Sequence, residues 1–270
     1  MPSKILSIPF LLLAAWNLYH AFTGGDSNAL GIVLPVVALA VIYVLNPQVD
    51  WFWYSRFPPD LPSGLVRMLE ASTGPYRGYS EEEKTDFRKK TALFRLNLSF
   101  KGPAFDDTIP EDLQILVAAT ALQLMRLREK FLLSDFQVAV LYPGPFPSPH
   151  YPTLFHASEL HVEDGVLLFS AEHLVRGFME PGRFYDVGLH EWAHAFIRSN
   201  PNLHWPEPGE DVWELLAQVS GFNRAVLQRY VNRPDLELLP AMIVHYIHFA
   251  PSFEAVLPEY ARYFKLIFGK

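Results

Sequence analysis

Two apolar stretches in the first fifty residues constrain this chain more than any other feature. Ile5 to Phe22 is interrupted by only two strongly polar residues, Asn17 and His20, and Ala29 to Leu45 holds neither a charge nor an amide. Each is close to the roughly 20 residues that cross a bilayer, within a range of about 17–25. Pro9 and Pro35 would kink a soluble helix but are tolerated in membrane helices. Thr23-Gly24-Gly25-Asp26-Ser27-Asn28 between them is rich in turn formers. Trp51-Phe52-Trp53-Tyr54 follows as the aromatic cluster of a membrane interface. The segment therefore predicts a transmembrane helical hairpin over residues 1–50. The alternative is a signal peptide with Lys4 as its charged start, but no small-x-small cleavage site follows and a second apolar stretch does. Lys4 and the N-terminus precede the first stretch, Arg56 and Arg67 follow the second, and the loop holds only Asp26. The positive-inside rule then puts both ends on the cytoplasmic side.

The rest of the chain looks different. Pro58-Pro59, Pro62, Gly64, Gly74-Pro75 and Gly78 give residues 51–79 the composition of a linker, with a short helical stretch from Leu65 to Ala71. Residues 80–270 are long enough for one catalytic domain. The net charge is −7 with no basic stripe, which argues against nucleic acid as a partner. The chain has no cysteine, so disulfides and thiolate metal sites are excluded and any metal must be held by histidines and carboxylates.

Ser80-Glu81-Glu82-Glu83 predicts a capping box opening a helix to about Asn97. Pro110-Glu111-Asp112 starts a second helix, with Leu113, Leu116, Val117, Thr120, Leu124 and Leu127 at helical spacing to about Lys130. Phe136 to Tyr142 reads as a strand. Ser158 to Val162 and Val166 to Ser170 flank Glu163-Asp164-Gly165 as a hairpin. Helices follow almost to the end, broken near 201–209, at Arg233-Pro234 and at Ala250-Pro251. Helices, then a small antiparallel sheet, then helices indicate an α+β class.

Within the later helices lies His190-Glu191-Trp192-Ala193-His194. Two histidines four apart share one helix face one turn apart. Both can then reach a tetrahedral Zn²⁺ at about 2.0–2.1 Å. Glu191 lies beside the metal without ligating it, where it can take the proton of a zinc-bound water and pass it to a leaving amine. Val187, Leu189, Trp192, Ala193, Phe196 and Ile197 wrap the segment in apolar side chains, which argues against two solvated surface histidines.

A zinc that catalyses needs a third protein ligand and an open position. Glu214 is the candidate, beyond a turn region containing Pro201, Pro206, Pro208 and Gly209. It falls on the first turn of a helix that Asp211 caps, among Trp213, Leu215, Leu216, Val219 and Phe222. Its other reading is the reciprocal partner of Asp211 in a capping box. Glu207, Glu210 and His204 are weaker ligand candidates. His150, His156, His161, His173, His245 and His248 lack metal-ligand spacing and read as packing or surface residues, although His245 or His248 could turn toward the site.

His190-Glu191-Trp192-Ala193-His194, followed by Trp213-Glu214-Leu215-Leu216-Ala217-Gln218-Val219-Ser220, resembles the zinc peptidases of the Mlc titration factor A family, a glucose-regulated group. The resemblance covers about residues 80–268. It includes Val140 to Phe146, similar to the family's strand end, and Pro251 to Phe268, similar to its closing helix. It implies a mostly helical, zincin-like, gluzincin-type metallopeptidase domain with His190, His194 and Glu214 as ligands and Glu191 as general base. The chain departs from the family in three places. The loop between the two metal helices is shorter. Ala195-Phe196-Ile197 replaces a Lys-Leu-Asp. The tyrosine expected shortly before the ligand glutamate has no match ahead of Glu214, where Trp205 and Glu207 stand. The resulting expectation is a membrane-anchored zinc peptidase acting on short peptides, in a bacterial inner membrane with its catalytic domain in the cytoplasm. The hairpin strand Val166 to Ser170 would take an extended substrate as an added strand. The alternative is a membrane-tethered protein that binds a regulatory partner, since the resembled family is also linked to binding a transcriptional repressor.

Overall fold

The computed structural model describes residues 1–24, 29–105 and 108–269. The Gly25-Asp26-Ser27-Asn28 part of the expected hairpin turn lies outside them. The chain divides into two compact units, Met1–Pro59 and Asp60–Lys270.

In the first unit, helix α1 (Pro2–Phe22) is long and apolar enough to cross a membrane. Helix α2 (Ala29–Val44) has 16 residues, short of a span by itself. It passes the same test only jointly with α3 (Asn46–Arg56), to which it is bent by 68°. The aromatic cluster lies within α3. The Ser3 N–H donates to Asp50 Oδ1 at 2.8 Å, holding the start of α1 to α3.

In the second unit, α4 (Ser63–Ala71) falls where a short helix is expected in the linker. Helix α5 (Glu81–Asn97) opens on the expected capping box. Glu83 N–H donates to Ser80 Oγ at 3.2 Å, and Ser80 N–H donates to Glu83 Oε2 at 2.9 Å. Strand β1 (Ser99–Lys101) leads to α6 (Glu111–Met125), which is almost wholly buried and ends earlier than its periodicity suggests. Lys90 Nζ donates to the Arg126 carbonyl at that end. Strands β2 (Val138–Tyr142), β3 (Ser158–His161) and β4 (Val166–Ser170) follow. The remaining helices are α7 (Ala171–Met179), α8 (Val187–Ser199), α9 (Val212–Ser220), α10 (Arg224–Val231), α11 (Leu238–His248), α12 (Ala250–Val256) and α13 (Pro258–Phe268).

The sheet corrects the expectation of an antiparallel one. Its order is β1-β2-β4-β3; β1 pairs parallel with β2 and β2 parallel with β4, and only β3–β4 is antiparallel. Parallel neighbours need a crossover, and α6 supplies it between β1 and β2. Strand β1 is too short to leave a periodic signal, so only the strand at Phe136 to Tyr142 and the hairpin are legible in the sequence. The chain is thus mostly helical with a small mixed sheet. Because β4 is paired on both sides, the free edge beside it belongs to β3.

Two glycines let the elements meet. Gly165 turns the β3–β4 hairpin at φ +63°, and a Cβ there would lie 2.1 Å from the Asp135 carbonyl oxygen. On α8, a Cβ at Gly188 would lie 2.5 Å from Leu174 of α7, so the two helices approach closely only because it is absent. Trp192 turns inward on α8, packs edge-on against Phe94 of α5 and donates its indole N–H to the Val117 carbonyl of α6 at 3.0 Å. Gly165→Ala is expected to destabilise the full chain by about 1–3 kcal/mol. Gly182→Ala, where a Cβ meets nothing within 4 Å, should leave the melting midpoint unchanged. Thermal melts of the two variants check this.

Candidate metal centre

Asp186 caps α8, its Oδ1 accepting the Leu189 N–H at 2.9 Å, while its other oxygen lies 3.0 Å from His248 Nε2. One face of α8 is thereby fixed against the core and the other presents His190, Glu191 and His194. All three are buried. His190 Nδ1 lies 2.7 Å from Tyr185 Oη, and His190 Nε2 is buried with no hydrogen-bond partner. A ring nitrogen held by a fixed oxygen, with the other nitrogen bare, is how a metal-ligating histidine is oriented. Burial, then the positive Arg233, hold the His190 imidazole well below its ordinary range. Burial and Arg198 lower His194 to about 4. Both are neutral at pH 7, the form that ligates a metal.

Glu191 has no exposed surface. Its Oε1 accepts from Ser158 Oγ of β3 at 2.8 Å and from Arg233 Nη1, just beyond α10, at 3.1 Å. Its Oε2 has no hydrogen-bond partner and lies 3.9 Å from His194 Nδ1. Burial pushes the carboxyl up, against the pull of Arg233 and the Ser158 hydroxyl. One oxygen is therefore anchored and the other is available.

The structure brings His190, Glu191 and His194 together but does not bring Glu214 to them. Glu214 stands exposed on the first turn of α9, and Asp211 makes no side-chain capping bond there, so the capping-box reading finds no support either. The carboxylate beside His194 is Glu237, at the N-terminal end of α11, which packs on α8. Its Oε2 lies 3.4 Å from His194 Nε2. Arg198 Nε donates to the same nitrogen at 3.3 Å, and its half-exposed side chain has solvent to turn into. A Glu far along the chain offers no spacing signal, which is why the nearer Glu214 stood out. Ser158, Tyr185 and Arg233 also carried no motif. His245 and His248 do not turn into the site: His245 Nε2 meets Ser220 Oγ at 2.9 Å, and His248 is held by Asp186.

The residues fit a metal. His190 Nε2 is a buried ligand atom without a partner, His194 is neutral, and the half-exposed Glu237 lies beside His194. The ligating atoms of these three do not all lie within 4.8 Å of one another. Among the described residues the one group of three ligating side chains closer than that is His150, Glu159 and His161, on and before β3. These histidines, read from sequence as packing or surface residues, surround one carboxylate.

A sequence profile of the glucose-regulated metallo-peptidase M90 family matches residues 53–201. The chain belongs to that family of metallo-peptidases. The match includes His190, Glu191 and His194 and ends before either Glu214 or Glu237. It also begins inside the segment that reads as a linker. A comparison with curated proteins gives no match.

The buried His245 makes a pH test possible. Burial lowers it to about 4 in the folded chain, against an ordinary value of about 6.5. Between those values the unfolded chain binds a proton that the folded chain does not. Stability is then complete above about pH 6.5 and falls as pH drops toward 4, by up to about 1.4 kcal/mol per unit for one group. Melting midpoints measured across that window should fall with pH, and less steeply for His245→Gln.

Proposed function

We propose that this chain is a membrane-anchored, zinc-dependent metallopeptidase hydrolysing short peptides, its zinc held by His190, His194 and Glu237. The observation that carries the reading is that His190 Nε2 and Glu191 Oε2, adjacent residues on α8, are among the buried atoms left without a hydrogen-bond partner. Zinc, when bound, supplies a Lewis acid for the peptide carbonyl and lowers the pKa of water at the site. Everything else is done by the chain's own residues. Ser158 and Arg233 hold Glu191 Oε1, so Oε2 is the atom that accepts the proton of the attacking water and returns it to the leaving amine. The raised carboxyl pKa brings the base closer to neutral working pH. Tyr185 orients His190.

Two further observations support the assignment. Tyr230 stands seven residues before Glu237, and the resemblance leads one to expect a tyrosine shortly before the ligand glutamate. Its hydroxyl is buried without a hydrogen-bond partner. Strand β3, and not the doubly paired β4, is the outer strand to which an extended peptide would add. Helix α1 is the anchor. The inner-membrane, cytoplasm-facing arrangement rests on the charge bias around the apolar stretches, and a peptide is the substrate class.

Glu191→Gln should lower peptide hydrolysis by about 10²–10⁴-fold while zinc content stays unchanged. Retained activity would remove Glu191 as the base. Glu237→Ala should lower the zinc content by one ion per chain and Glu214→Ala should not, as read by metal analysis of the purified full chain. The opposite pattern would restore Glu214 as the ligand.

A further inference from the structure

Strand β3 carries a second cluster that the peptidase reading leaves unused. Glu159 and His161 are two apart on the strand and so share a face. His150 reaches the same face from the loop between β2 and β3. The Glu159 carboxylate is buried, and its Oε1 lies 2.7 Å from His150 Nδ1 and 3.0 Å from His161 Nε2. The two imidazoles stack with centroids 4.5 Å apart and planes at 22°, so both present a nitrogen to one oxygen.

An ordinary hydrogen-bonded cluster does not account for all of this. His161 Nε2 is buried and makes no hydrogen bond, despite its closeness to Glu159. The other carboxylate oxygen is already held. His156 Nε2, wholly buried, lies 3.0 Å from Oε2, and the Ser148 hydroxyl also bonds to the carboxylate. These contacts turn Oε1 toward His150 and His161, the orienting role played by the groups behind a metal ligand. Donor atoms in a tetrahedral zinc site are about 3.3 Å apart, given ligand bonds of about 2.0–2.1 Å. The two separations from Glu159 Oε1, 2.7 and 3.0 Å, are about 0.6 and 0.3 Å shorter than that, and the histidine nitrogens lie within 4.8 Å of each other, so a bound ion would open the cluster slightly.

We propose that His150, Glu159 and His161 form a second metal site, separate from His190 and His194, taking a divalent cation of the zinc class. Two imidazoles and one carboxylate suit Zn²⁺, Co²⁺ or Ni²⁺ over Mg²⁺ or Ca²⁺, which favour all-oxygen sets. The bound ion ties the β2–β3 loop to the strand that carries Ser158, the residue hydrogen-bonded to Glu191.

The test is metal stoichiometry of the full chain in detergent, stripped by a chelator and re-equilibrated with Zn²⁺, then with Co²⁺ for its visible spectrum. Wild type should hold two ions per chain. His150→Ala and His161→Ala should each hold one. His190→Ala/His194→Ala should hold one, and adding His150→Ala should remove it. His150 is largely exposed, so its variant decides the matter even if His161→Ala fails to fold. Two ions retained in His150→Ala, or none in His190→Ala/His194→Ala, would overturn the second site. A single wild-type ion that survives loss of His190 and His194 but not of His150 would support it, while overturning the first centre instead.

Discussion

A carboxylate sealed from solvent, Glu191, ties together three segments that are far apart in sequence. It comes from α8, its hydroxyl partner Ser158 from β3, and its charge partner Arg233 from the turn after α10. Arg233 also donates to the Ser158 carbonyl at 2.8 Å, so strand, helix and turn are locked around one charge. A buried ion is costly alone, and removing one partner of a buried pair typically costs about 3–5 kcal/mol. Such a pair, set against its desolvation cost, adds little net stability when intact. Here the arrangement leaves one oxygen of Glu191 bound and the other bare.

The same helix serves the core with its opposite face. Trp192 and Ala193 separate the two histidines in sequence and turn away from them in space, because four residues span little more than one turn. Trp192 fills the space between α5 and α6, and Gly188 lets α7 lie close. The rigidity that orients His190 and His194 is therefore the rigidity of the hydrophobic core. Tyr185 and Asp186, just before α8, complete it, one aligning a histidine ring and the other capping the helix.

Local features were legible where the physics is local. The Ser80–Glu83 capping box, the hairpin turn at Gly165 and the buried periodicity of α6 depend on neighbours within a few residues. The parallel pairings of β1, β2 and β4 were not legible, because a three-residue strand carries no pattern and a crossover is invisible without its partner. The approach of Glu237 to His194 was hidden for the same reason. So was the gathering of His150, His156 and His161 around Glu159, although the Glu159–His161 alternation on a strand was a readable half of it.

The sequence by itself determined the apolar N-terminal segment and the helix on which His190, Glu191 and His194 share a face. Both follow from composition and period, which a chain carries without folding. The tertiary structure decided that Glu237 approaches His194, which oxygen of Glu191 stays bare and which strand forms the sheet edge. Each of those depends on the packing of segments distant in sequence, α11 against α8 and β3 beside β4, and no spacing along the chain encodes it.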